Sequence, residues 1–412
     1  MLNIKSSLAK NTFMVMILNI SKIALPFLTL PYLTRVLSTD TYGSVAYIKA
    51  VMGYMQTLVD FGFLLSATKY IANARGDKEK IGQIVGDNIV SKLLIALLGF
   101  IILIILTLFL KILKENWLFT FLSYITIVLS IFLIDFLFMG IEKMEIITYR
   151  FLIMKGLSTI LTFILVKNDF TILWIPTLDI ISSLVAVYLV SREVKKENIT
   201  LSFSGIKNSV NLIKESFVYF FANVASISFN VFNTIVMGAF MTTTDVAYWS
   251  VCIQCISAVQ TLLNPISDAI YPEMIRTKSK KKLMKIIKIF IPIIIAGSIV
   301  AYILTPLGLY IVGGEKYLPA TNIFRILIPV IFFSFLAIMF GWPALGAINR
   351  AKETTITTVI SVCFQIIAIL FLAFSQKMTL FNIAFIRCIT ELLLFLLRFY
   401  YFRKYNYEFS SN

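Results

Sequence analysis

Histidine is absent from the 412 residues, so the chain can build no His-based metal site, His proton relay or His-dependent triad. Cysteine is scarce too. Cys252, Cys255, Cys363 and Cys388 all sit in apolar stretches, which argues against an extracellular disulfide framework, and Cys252-Ile-Gln-Cys255 reads as helix packing rather than a redox or metal motif. There is no G-x-x-x-x-G-K-[ST] phosphate loop, which excludes ATP hydrolysis by that route, and no D-x-D pair for a metal-bound sugar nucleotide. Connecting segments stay under roughly 25 residues, too short for a soluble catalytic domain, so no enzyme and no cofactor is expected. Charged residues make up only 14% of the chain, and acids are the scarcer sign, 21 against 37 bases.

What fills the sequence instead is apolar, at 59% hydrophobic with 36 Phe. Runs such as 93–110 approach the roughly 20 residues that cross a ~30 Å hydrocarbon core. Helices alone satisfy their own backbone there, and the ~10-residue alternating segments of a transmembrane β-barrel are missing. The net charge of +16 does not imply nucleic acid, because the Lys and Arg lie in short segments flanking apolar spans rather than on one soluble face. Lys5 and Lys10 precede an apolar run that continues past Pro26 and Pro31 to Arg35 without an A-x-A site, so it reads as a first span and not a cleaved signal.

Hydropathy places spans near 12–34, 43–66, 83–110, 117–139, 147–166 and 170–190, then near 216–240, 246–271, 286–306, 323–348, 355–375 and 379–402. The expected fold is therefore an all-α integral membrane protein of about twelve helices. Two six-helix bundles, 1–190 and 215–412, flank a basic cytoplasmic linker at 191–214. If the N-terminus is cytoplasmic, 25 of the 37 Lys and Arg fall in cytoplasmic segments, seven outside and five within spans, so both termini are expected in the cytoplasm. The turns beginning Leu37-Ser-Thr-Asp and Met241-Thr-Thr-Thr-Asp are weakly alike. With six spans per half, the repeat would be parallel and would enclose a central cavity suited to alternating access.

An unpaired charge at mid-bilayer costs about 2.5–3.5 kcal/mol on insertion scales, so charges inside spans are the candidates for function. The cations are Lys22, Lys49, Lys92, Lys155 and Arg387; the acids are Asp60, Asp87, Asp135, Asp179, Asp268 and Glu391. Lys22 lies four residues before Pro26, which lacks the N–H that would bond the Lys22 carbonyl and so bends the helix. These cations either neutralise an anionic substrate in a cavity or pair internally with carboxylates. Arg387 and Glu391, four apart, share one helix face and suit a local pair. Asp179, nearest mid-span, and Asp60 are the candidates for binding a coupling H+ or Na+, with pairing to a lysine equally open for Asp179. Gly82-Gln-Ile-Val-Gly86 suggests a close helix–helix contact, and the run Lys278-Ser-Lys-Lys-Lys suits anionic head groups.

Leu25-Pro-Phe-Leu-Thr-Leu-Pro-Tyr-Leu-Thr-Arg-Val-Leu37, Tyr42-Gly43, Leu58-Val-Asp-Phe-Gly62 with Ser66-Ala-Thr68, the run Asp135–Met144, and Arg325-Ile-Leu-Ile-Pro with Gly341 occur in this order. In these the chain resembles the polysaccharide-biosynthesis branch of the multidrug/oligosaccharidyl-lipid/polysaccharide exporter superfamily, the O-antigen flippases. The resemblance runs over nearly the whole length. It implies twelve helices in a bacterial inner membrane and transport of oligosaccharide on undecaprenyl pyrophosphate to the periplasmic leaflet. The cavity residues it would employ are Lys22, Lys49, Lys92, Lys155 and Arg387. Expected partners are that lipid-linked oligosaccharide, membrane lipids, and a polysaccharide polymerase with its chain-length regulator. A cation-coupled drug exporter of the same superfamily is the alternative, and there acidic residues should dominate the cavity.

Overall fold

The computed structural model describes residues 2–410, with side chains from residue 10 onward apart from those at 218, 222, 226 and 230. The side chain of Lys5, one of the two cations ahead of the first span, lies outside that set. Eleven helical segments among the described residues are long and apolar enough to cross a membrane, and a twelfth is reached if Tyr219–Phe229 and Val231–Phe240 count as one broken span. No β-strand occurs among the described residues beyond an isolated bridge from Ser279 to Ser410.

The chain divides into two compact units. The first comprises residues 1–38 and 47–224. It contains α1 (Leu2–Val36), most of α2 (Thr39–Asp60), α3 (Phe63–Asn73), α4 (Lys78–Phe109), α5 (Lys111–Glu115), α6 (Trp117–Ser130), α7 (Asp135–Gly140), α8 (Met144–Leu165), α9 (Trp174–Lys196) and the start of α10 (Ile206–Phe240). The second comprises residues 39–46 and 225–412. Besides the rest of α10 it holds α11 (Thr243–Thr277), α12 (Lys280–Gly313), α13 (Thr321–Met339), α14 (Ala351–Phe374) and α15 (Leu380–Lys404). The division falls inside α10, between residues 224 and 225, rather than at the basic stretch 191–214.

Side chains explain where several helices start. Asp77 accepts the Lys80 N–H at 3.0 Å to open α4, and Thr242 and Asp245 form a reciprocal capping box at α11. Within the helices, hydroxyls return their bonds to the preceding turn, as Thr34 does to the Leu30 carbonyl at 2.8 Å and Thr107 to Leu103 at 2.8 Å. Such return bonds satisfy these hydroxyls where water is missing.

In the first unit, Ile71, Val85, Leu137, Phe138 and Ala186 form a buried core where α3, α4, α7 and α9 meet. The Gly82/Gly86 pair lies on α4, but the segment it receives is not a helix. Non-helical backbone at 200–202 crosses the two glycines, with the Ser202 N–H donating to the Gly82 carbonyl at 3.3 Å. A Cβ on Gly82 or Gly86 would fall onto the carbonyl of Thr200 or Ser202. One turn on, Asp87 accepts the Ser204 N–H at 2.9 Å and its hydroxyl at 2.6 Å, so part of the stretch read as a linker is strapped down.

In the second unit the two look-alike turns meet each other. Asp40 accepts from the hydroxyls of Thr243 at 2.7 Å and Thr244 at 2.5 Å, and a Cβ on Gly43 would strike the Thr243 carbonyl. Farther along, α13 breaks at Gly341 (φ −77°, ψ −111°) and continues as a π-helical turn over Phe340–Leu345. The Arg398 guanidinium donates to the Ala337 carbonyl at 2.7 Å, which supplies the partner that the break removes.

Candidate functional site

The first unit gathers its intramembrane charges into two clusters. In one, α1, α2, α8 and α9 enclose a cavity of about 110 Å³. Pro26 and Thr29 line it from α1, Lys49 from α2, Lys155 and Ser158 from α8, and Asp179 from α9. Lys155 Nζ lies 3.0 Å from Asp179 Oδ1, and the Ser158 hydroxyl donates to the same oxygen at 2.9 Å. Lys49 makes no ion pair among the described residues, although it interacts electrostatically with both Asp179 and Lys155. Two cations thus face one carboxylate. At roughly 10–15 Å³ of such volume per water, the space accommodates several waters or one small hydrated ion, not an oligosaccharide.

The other cluster joins α1, α2, α4, α7 and α8. Lys92 pairs with Asp60 at 2.9 Å, and Arg150 donates to both oxygens of Asp135 at 2.7 and 2.9 Å. Gln56 also donates to Asp60 at 2.9 Å. Asp135 feels Arg150 most strongly, then Lys92 and Lys22. Lys22 itself is exposed, its ammonium 6.0 Å from the Phe151 ring centroid, at the outer limit of a cation–π contact. Three cations therefore face two carboxylates.

In the second unit, Arg387 is buried and pairs with Glu391 at 2.5 Å. Glu391 also takes the Ser334 hydroxyl at 2.6 Å, and Ser334 in turn accepts from Gln260 at 2.5 Å. The guanidinium carbon of Arg387 is 5.4 Å from the Phe229 ring centroid, and its buried Nε has no hydrogen-bond partner among the described residues. Of the five cations singled out by sequence, the structure thus brings Lys49 and Lys155 together and seats Lys92 and Arg387 on carboxylates. Lys22 stands at the edge of the second cluster.

Two intramembrane cations escape sequence reading. Arg150 follows the basic boundary at Lys143 and reads as a loop residue, yet it is 4% exposed within α8. The signal lay in Asp135, fifteen residues earlier on the same motif-bearing stretch, which needed a cation. Arg398 reads as the cytoplasmic edge of the last span, but Phe-Tyr-Tyr-Phe follows it and α15 runs on to Lys404.

Comparison with known proteins decides the family. The family described as polysaccharide biosynthesis protein matches residues 8–278. The chain belongs to this family. A relative from Shigella dysenteriae, named "Putative O-antigen transporter", is 30% identical over 270 residues, covering 64% of this chain and 67% of that one. Among solved structures, the lipid II flippase MurJ in an inward closed conformation superposes with a TM-score of 0.75 at 15% identity, covering 96% of this chain and 87% of its own. An inward-facing multidrug resistance MATE transporter superposes with a TM-score of 0.63 at 13% identity, over 93% and 99% respectively. At these identities the likeness is one of fold. This member of the polysaccharide biosynthesis family is a multi-pass protein of the inner membrane.

Proposed function

We propose that this family member is a flippase that carries an undecaprenyl-pyrophosphate-linked oligosaccharide, an O-antigen or related surface-polysaccharide repeat unit, from the cytoplasmic to the periplasmic leaflet. The movement is by alternating access and is coupled to an H+ or Na+ gradient. The observation that carries this reading is the surplus of cations in both clusters of the first unit, two against one and three against two. A pyrophosphate cannot enter hydrocarbon bare, because its charges would lose their hydration. Cations with less than their share of carboxylates can replace part of that water. The relative named as an O-antigen transporter supports the same substrate class.

Within this reading Lys49, Lys22, Lys155 and Lys92 face the pyrophosphate in passing, and Arg387 holds the second unit together. Asp179, which accepts from Lys155 and Ser158, is the coupling residue, and Asp60 is the second candidate. The drug-exporter alternative calls for an acidic excess, and both clusters carry the opposite sign. The test is surface polysaccharide in a deletion strain complemented with wild type, Lys49→Ala or Asp179→Asn. Long chains lost on deletion, restored by wild type and not by Lys49→Ala, support the proposal. Normal long chains in the deletion strain overturn it.

A further inference from the structure

The face formed by α12 and α13 belongs to neither charge cluster. There Ile295, Ile299 and Tyr302 of α12 stand opposite Ile328, Pro329 and Phe332 of α13 across an open groove of about 370 Å³. The α12 wall is unusually bare, with Ile299 55% and Tyr302 51% exposed. At one end of this apolar trough sits a charge. The Arg325 guanidinium carbon is 4.8 Å from the Tyr302 ring centroid, and Nε donates to the Tyr302 carbonyl at 3.3 Å. Neither terminal nitrogen of Arg325 has a partner among the described residues. One helical turn from Tyr302, Ser298 also lines the groove, with its hydroxyl buried beneath a wholly apolar exposed lining.

We propose that this groove holds one anionic glycerophospholipid of the surrounding bilayer. Its phosphodiester sits on Arg325, and an acyl chain lies over Ile295, Ile299 and Phe332. Two features select this occupant. A guanidinium presents paired donors that match one phosphate, and Tyr302 fixes its plane. A pyrophosphate would bring a second charge, and a zwitterionic head group an ammonium, and the groove lining offers neither a second cation nor a carboxylate. The site is independent of the transport reading, because it uses none of the residues of the two clusters.

The test is native mass spectrometry of the full-length protein in mild detergent, titrated separately with phosphatidylglycerol and phosphatidylethanolamine of identical chains. Wild type should hold one phosphatidylglycerol in preference to phosphatidylethanolamine, and Arg325→Ala should weaken that binding by about tenfold, the equivalent of 1.4 kcal/mol. Arg325→Lys should fall between the two. Ile299→Trp, which fills the trough and leaves Arg325 in place, should lose the lipid as well, with circular dichroism and elution volume checking that each variant is folded. Equal affinity of folded Arg325→Ala and wild type, or equal retention of the two lipids, would overturn the proposal. So would displacement by excess inorganic phosphate, which would make the ligand a free anion.

Discussion

Arg387 provides the sharpest separation of a structural from a substrate-binding cation. Its side chain is 2% exposed and that of Glu391 7%, so neither charge can retreat to water when the other is removed. In Arg387→Met, Glu391 keeps the Ser334 hydroxyl at 2.6 Å and a longer-range attraction to Arg398, but no directly paired cation among the described residues. Removing one partner of such a pair costs about 3–5 kcal/mol, whereas replacing both with apolar groups of similar volume is often neutral or favourable. The expected outcome is a loss of about 3–5 kcal/mol for Arg387→Met and recovery to within about 1 kcal/mol of wild type for Arg387→Met/Glu391→Leu. Reversible unfolding of the purified protein in mixed micelles, followed as the denaturing detergent fraction rises, measures all corners of the cycle. The Arg75–Glu142 pair, in segments that flank the spans, is the control, because its side chains are 46% and 58% exposed and the same manipulation there should cost less than about 1 kcal/mol. The reasoning is refuted if Arg387→Met shifts stability by under about 0.5 kcal/mol, or if the double substitution is as unstable as the single. A double variant that is stable but exports no polysaccharide would return Arg387 to the substrate path.

Gly341→Ala should cost about 1–3 kcal/mol, because its Cβ would lie 2.8 Å from Arg398 Nη1 and push the guanidinium off the Ala337 carbonyl; Arg398→Ala should lose a similar amount in the same unfolding assay. Gly82→Ala or Gly86→Ala should lift the 200–204 strap, seen as faster trypsin cleavage at Lys195 and Lys196 with the helical content unchanged. At the C-terminal end, the Arg350 guanidinium donates to Glu408 at 2.5 and 3.3 Å and holds that carboxyl below the usual carboxylate range. A depressed folded value means that the stabilisation is whole above the unfolded carboxyl value of about 4.3 and is lost as pH falls through the folded one. Hydrogen-exchange protection of residues 405–410 should therefore persist at neutral pH and collapse in acid, and Arg350→Ala should lack it at either pH.

The spans were legible because hydropathy reports the solvent directly: eleven of the twelve runs coincide with helical spans among the described residues, and the run at 216–240 falls on a bent pair. The interruptions were not. The stretch 43–66 reads as one continuous span, yet α2 ends at Asp60 and α3 begins at Phe63, with Phe61 and Gly62 at φ 42° and 78°. A Cβ on Gly62 would collide with Tyr219, so the turn answers to a neighbour more than 150 residues away, which no local window contains. The Gly82/Gly86 spacing announced a close approach correctly and named the wrong partner, because small residues admit any backbone and the motif carries no information about which one arrives. Among the charges, Arg387 and Glu391 were readable as a pair because helix geometry fixes neighbours four apart. Lys92 with Asp60 and Arg150 with Asp135 join different helices, and such pairings depend on packing that the sequence does not display.

The distribution of charge also explains why so few of the candidate cations remain available. An intramembrane carboxylate is as costly as an intramembrane lysine, so evolution of a stable bundle tends to bring them together, and pairing is the default fate of either. Asp60, Asp135, Asp179 and Glu391 each hold a cation within 3.0 Å. Against that background Lys49 stands out, since it shares Asp179 with a lysine already bonded to it and gains only longer-range attraction. A cation at such a disadvantage beside a proline-bearing helix and a small polar cavity is difficult to account for by packing, because Met or Leu would fill the same space at lower cost. On the proposed flippase reading, its surplus charge serves when an anion arrives or when Asp179 changes its occupancy. Arg387 differs in being directly paired: it is buried against Glu391 and the Phe229 ring, although its Nε lacks a hydrogen-bond partner among the described residues.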